Sequence, residues 1–201
     1  MLNIIKHNRF NPSGKQKKKN QIILIHTGRI YSDYINSLTY RFNGNYSKVP
    51  NYLITKNGEI FQFLENTEHS NIFDIPNINR NSIIISLENL GWLQKEPLKD
   101  YYVNWIGDIY NGKVYEKKWR DYFFWEPYTK TQIEKTVELC KNIFSEMSIN
   151  PQFIGHNTKI NGIEKYEGVV SRSNFDTNYT DVNPSFDFEY FLNELENEEY
   201  T

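Results

Sequence analysis

At 201 residues and a formal net charge of −2, the chain is sized for one domain with a substantial core. Its charge balance points neither to nucleic acid nor to a membrane surface. One cysteine, Cys140, excludes an internal disulfide, and no run of about 18 apolar residues offers a membrane span. The opening Met1-Leu2-Asn3-Ile4-Ile5-Lys6 lacks the apolar stretch of a secretory signal, so synthesis in a cytoplasm is expected.

Residues 1–20 read as a first strand and a loop. Asn11-Pro12-Ser13-Gly14 is turn chemistry, and the run Lys15, Lys17, Lys18, Lys19 reads as solvated. Ile22-Ile23-Leu24-Ile25-His26-Thr27-Gly28 follows: four aliphatic residues closed by a histidine, the pattern of a buried strand that carries a polar group to its C-terminal end. A neutral imidazole there suits a metal ion or proton transfer. Residues 31–42 place Tyr31, Tyr34, Ile35, Leu38 and Phe42 on one helical face, and Asn43-Gly44-Asn45 ends that helix. Tyr52–Thr55 and Glu59–Leu64 flank Asn57-Gly58, the turn pair of a tight hairpin. His69 lies in a polar loop, and Ser82–Glu88 is a second buried strand, leading to Asn89.

From Gly91 to Pro127 the chain is irregular, charged and aromatic, and holds all four tryptophans, Trp92 to Trp125. A stretch of this length is expected to be an insertion, with a short hairpin around Asn111-Gly112. Its aromatics either wall a groove or pack a private core. Thr129-Lys130-Thr131-Gln132 is a capping box opening a helix whose apolar side is Ile133, Val137, Cys140, Phe144 and Met147. Cys140 therefore reads as core. Asn150-Pro151 stops the helix, Phe153-Ile154 is a short strand before Gly155-His156, residues 157–180 are loop-like, and Asp187–Leu192 begins a final helix followed by a solvated acidic tail.

These segments, in this order, resemble the zinc-dependent N-acetylmuramoyl-L-alanine amidases, a family that includes amidase-type phage endolysins and animal peptidoglycan-recognition proteins. Ile22–Thr27 resembles the first strand with its metal histidine, Tyr52–Gln62 the hairpin, Asn81–Glu88 the next central strand, and Tyr128-Thr129 with Gln132 the start of the long helix. Gly155-His156 resembles the second metal histidine, and Asp181-Val182-Asn183-Pro184-Ser185-Phe186-Asp187-Phe188 the closing pattern that opens with a metal aspartate. Each motif alone is weak; their order carries the likeness. Five departures stand out. The stretch from His156 to Asp181 is long, and Tyr179 stands where a lysine is common. Pro184 is displaced from the ligand. Ser86 occupies a position where some members have a catalytic glutamate, and the tyrosine other members use would fall near Pro50.

The resemblance implies a single α/β domain over residues 1–201, with a central mixed β-sheet flanked by helices and residues 91–127 as the aromatic-rich insertion. It implies one Zn2+ held by His26, His156 and Asp181, with Asp176 the rival to Asp181. Two imidazoles and a carboxylate leave a fourth position open, the pattern of a catalytic zinc. Glu88 becomes the candidate acid or base, and Arg172 and Tyr179 the candidates near the oxyanion. His69, Asn89 and Trp92 become candidate substrate contacts. The implied reaction is hydrolysis of the amide between N-acetylmuramic acid and L-alanine in peptidoglycan, by a monomer with no nucleic-acid or membrane partner. A phage endolysin released through a holin is the leading role. A muropeptide-recycling amidase, a peptidoglycan-binding module without activity, and a virion component are the alternatives.

Overall fold

A computed structural model describes residues 2–7 and 9–197; Glu198 and Glu199 of the acidic tail lie outside the described residues. In chain order the elements are β1 (Ile4–Lys6), β2 (Gly14–Lys15), β3 (Gln21–His26), α1 (Tyr31–Tyr40), β4 (Tyr52–Ile54), β5 (Ile60–Gln62), β6 (Glu68–His69), α2 (Pro76–Asn81), β7 (Ser82–Leu87), β8 (Trp92–Lys95), β9 (Tyr102–Val103), β10 (Ile109–Tyr110), β11 (Tyr115–Trp119), β12 (Tyr122–Trp125), α3 (Lys130–Met147), β13 (Gly168–Ser171) and α4 (Phe188–Glu196).

The main sheet has the order β1-β5-β4-β7-β3-β13. Strands β4, β7, β3 and β13 run parallel, while β5 turns back against β4 through Asn57-Gly58. Both faces are covered, which is why β3 and β7 are continuous aliphatic runs rather than alternating ones. Along β3, Ile22 and Leu24 pack under α3 and α4 with Ile133, Val137, Cys140 and Phe191. Ile23 and Ile25 pack on the opposite face with Ile72, Phe73 and Ile78. A third cluster seats α1 on the sheet through Leu38, Leu53 and Phe61. Parallel strands end together. The registers Ser171 opposite Leu24 and His26 opposite Leu87 therefore gather His26, Glu88 and Arg172 along one sheet edge.

Five expectations change. Gly168–Ser171, inside the supposed loop, is the edge strand β13; only two of its four residues are strongly apolar, too few to show a period. Asn111-Gly112 makes no hairpin, because β10 pairs with β9 and β11 with β12, at opposite edges of a five-stranded sheet ordered β10-β9-β8-β12-β11. His69 is no loop residue: β6 pairs with β2. The capping box is half made. Thr129 Oγ1 accepts from Gln132 N–H at 3.1 Å, but the Gln132 amide donates instead to the carbonyls of Ile54 and Glu88, tying α3 to the sheet edge. Lys19 is buried, donating to the carbonyls of Glu68 and Arg80 at 3.1 and 2.8 Å. Cys140 lies wholly inside, where burial pushes its thiol pKa up. Among the described residues no helix is long and apolar enough to cross a membrane.

Candidate active site

The end of β3 delivers His26 to Asp181, which arrives from the segment after β13. His26 Nε2 lies 3.2 Å from Asp181 Oδ1, and the His26 backbone N–H donates to Oδ2 at 3.3 Å. On its other side the ring places Nδ1 3.2 Å from the Asn89 carbonyl, which fixes its orientation. Gly91, at φ +81°, lies against the ring where a side chain would collide with it. Burial alone would lower the His26 pKa, but Asp181 outweighs burial and raises it. Burial would likewise raise the Asp181 carboxyl, yet His26, followed by Arg172, holds it below its usual range. The rival Asp176 pairs instead with Arg172 at 3.4 Å.

His156 stands apart from this pair. Its ring packs against Phe188 and Trp119, with centroids 4.4 and 4.7 Å away, beside the backbone of Val182. Among the described residues no three His, Cys, Asp or Glu side chains gather closely enough to hold an ion. The donor chemistry nevertheless fits zinc. His156 Nε2 is buried with no hydrogen-bond partner, and burial, reinforced by Lys117 and Arg120, takes its pKa down to about 4. It is a neutral imidazole with an unused nitrogen, beside the residue that follows Asp181.

A cleft of about 430 Å³ opens over the His26–Asp181 pair, bordered by Trp92, Trp105, Tyr122, Arg172 and Tyr179 among others. Three residues expected at the site thus meet there: Arg172, Tyr179 and Trp92. The Arg172 guanidinium stacks on the Tyr179 ring, and its Nε is buried without a partner. Three others do not border the cleft. Both Glu88 oxygens are engaged by backbone N–H groups, Oε1 by Tyr31 at 2.8 Å and Oε2 by Lys56 at 3.0 Å, so the carboxylate anchors the start of α1. The Asn89 side chain is buried and spent on Gly91 N–H, the Glu126 carbonyl and the Asn183 amide. His69 presses on Gly14 in the β2–β6 pair, and burial together with Lys19 and Arg80 lowers its pKa.

A family profile described as N-acetylmuramoyl-L-alanine amidase matches residues 15–167. The chain belongs to that family. Its fold is the mixed α/β amidase fold, as solved structures also show. The amidase LysC from Clostridium intestinale URNW is 12% identical, with 95% of each chain covered and a TM-score of 0.57. The endolysin amidase LysCS from the same organism is 13% identical over 95% of this chain and 93% of that one, with a TM-score of 0.55. AmpDh3 from Pseudomonas aeruginosa, in complex with anhydromuramic pentapeptide, is 15% identical over 90% of this chain and 62% of that one, with a TM-score of 0.54. No curated protein matches the chain.

The amidase profile ends at residue 167, ahead of Arg172, Tyr179 and Asp181, so that side of the cleft rests on this chain's own geometry. Sequence reasoning missed what holds it. Arg120, in the β11–β12 turn, donates to the carbonyls of Ser173, Thr177 and Tyr179 and to Asn157 Oδ1. Trp105, from the β9–β10 turn, donates its Nε1–H to the Gly28 carbonyl at 2.7 Å and reaches the opposite lip. The aromatic-rich stretch thus grips both lips of the amidase cleft while burying Trp125 in its own sheet. Aromatic clustering was the one sequence signal for Trp105; an arginine in a turn gives none.

Proposed function

We propose that this amidase-family chain is a zinc-dependent N-acetylmuramoyl-L-alanine amidase, one catalytic domain over residues 1–201, and that His26, His156 and Asp181 hold the metal. The observation that carries the reading is the buried His26–Asp181 pair at the carboxyl ends of parallel strands, under an open cleft. A bound zinc supplies polarisation of the scissile carbonyl and an acidified water. The chain does the rest. The Asn89 carbonyl accepts from the Nδ1–H of His26, so that Nε2, the nitrogen facing Asp181 Oδ1, is the one that would ligate. The His26 backbone N–H holds Asp181 in place. Arg172 brings fixed positive charge to the position where the carbonyl oxygen becomes an oxyanion. Tyr179 offers the hydroxyl that protonates the leaving amine. Glu88, with both oxygens committed, positions α1 and does not transfer protons. Similarity in fold to LysCS supports an endolysin role acting on cell-wall peptidoglycan.

The test is the bond broken. Purified peptidoglycan treated with the protein should yield new free alanine amino termini and no new reducing sugar ends. New reducing ends without new amino termini would replace the amidase reading with a glycosidase. One observation favours a second reading: with His156 apart from the His26–Asp181 pair, the chain would recognise peptidoglycan without cutting it. Binding to the wall with neither product, zinc supplied, would select that reading.

A further inference from the structure

The cleft has two arms of opposite chemistry, and they meet at His26. The first is the 430 Å³ cleft already described. Its wall is aromatic: Trp92 and Tyr122 stack with centroids 4.7 Å apart at 15°, and Trp105 stands beside them, 49% exposed. The Trp105 indole N–H is spent on Gly28 and the Arg29 guanidinium lies 5.1 Å from its ring centre, so the ring is held in place with one polar group used up. The second arm, about 230 Å³, is bordered by Arg29, Arg41, Lys48 and Arg172 together with Tyr34 and Tyr46. Among the described residues no carboxylate borders it. Trp105 and Arg172 border both arms.

We propose that the five-stranded sheet is a saccharide platform and that it sets the polarity of the substrate. The uncharged glycan lies on Trp92, Trp105 and Tyr122, and the carboxylate-bearing stem peptide runs into the arm of Arg29, Arg41 and Lys48. The inference rests on the amidase reading, because the scissile amide joins those two chemistries and must sit where the arms meet. A β-linked amino sugar presents a C–H face that buries against an aromatic ring without needing a donor. A peptide carboxylate needs the opposite, fixed cations partly shielded from water. Swapping the two ends would place carboxylates against rings and leave Arg29, Arg41 and Lys48 facing an uncharged sugar.

Two probes separate the arms without hydrolysis: an uncharged N-acetylglucosamine tetramer, and the acidic dipeptide alanyl-γ-glutamate, each titrated by calorimetry. Trp105→Ala, at a ring that borders both arms, should weaken the tetramer at least tenfold; Tyr122→Ala should do so and leave the dipeptide within twofold. Arg41→Ala and Lys48→Ala should do the reverse. Tyr122 lies in a strand, but Trp105 sits in a turn, so its variant keeps the test valid if the strand variant misfolds. Tetramer binding that is undetectable, unchanged in the Trp105 variant, or lost in the Arg41 variant would overturn the proposal. Peptidoglycan cleavage measured alongside keeps the readings distinct. Cleavage without the two-probe pattern sinks the polarity alone, and the pattern without cleavage sinks the amidase while the platform stands.

Discussion

Gly91 governs how closely the chain can wrap the His26 ring. At φ +81° it adopts a backbone that side chains resist, and a Cβ there would overlap His26 Cε1. Gly91→Ala should therefore leave the protein folded, at a cost of about 1–3 kcal/mol, while displacing the imidazole. Zinc affinity should drop about 10–100-fold, as for lost orienting contacts around a ligand histidine. Calorimetric zinc titration of the metal-free variant checks this, and unchanged affinity would contradict it. Lys19 gives a second test, on pH. Burial lowers its pKa from 10.5 to about 8, so the folded chain sheds this proton before the unfolded chain does. Stability from this residue must therefore rise with pH between those two values. Compared with Lys19→Met, the wild type should gain about 2 kcal/mol from pH ~7.5 to ~9.5 in denaturant melts. A flat difference would mean the ammonium is solvated after all.

At the scale of elements, the sheet β8–β12 acts as a brace. Arg120 donates to three carbonyls and one amide oxygen of the segments that precede Asp181. Charge-assisted bonds of this kind contribute about 1.5–3 kcal/mol each at most, and partial exposure reduces that. Arg120→Ala should speed hydrogen exchange across residues 172–181 with little change in β3 or β7, and mass-spectrometric exchange would show it. Equal loosening everywhere would mean a global effect instead. What was legible in the sequence follows from length and period. β3, β7 and the β4–β5 hairpin announce themselves by aliphatic runs and an Asn-Gly turn, and α3 by its cap and 3.6-residue stripe. β13 has two strong apolar residues and is held by pairing with β3, a long-range contact that local pattern does not encode. The site divides the same way. His26 was legible because it ends an aliphatic run. The anchoring role of Glu88, and the Asn89 side-chain bonds other than the one to Gly91, depend on partners 32 to 94 positions away, which no local window contains.

For the whole molecule, the decisive feature is that four parallel strands end on one edge. Residues distant in sequence reach one cleft because β3, β7 and β13 finish side by side, and the aromatic sheet then closes over the lips. This architecture brings His26 and Asp181 together and leaves His156 within the same region, its unused nitrogen buried. The central claim is that one zinc unites all three. The most direct measurement is equilibrium zinc binding to metal-free protein, wild type beside His26→Ala, His156→Ala, Asp181→Ala and the distant His69→Ala. The account predicts one zinc per chain in the wild type and in His69→Ala, and a loss of at least a hundredfold in affinity in each of the other three. Wild-type affinity in His156→Ala would contradict it, leaving His156 a packing residue and the metal site incomplete.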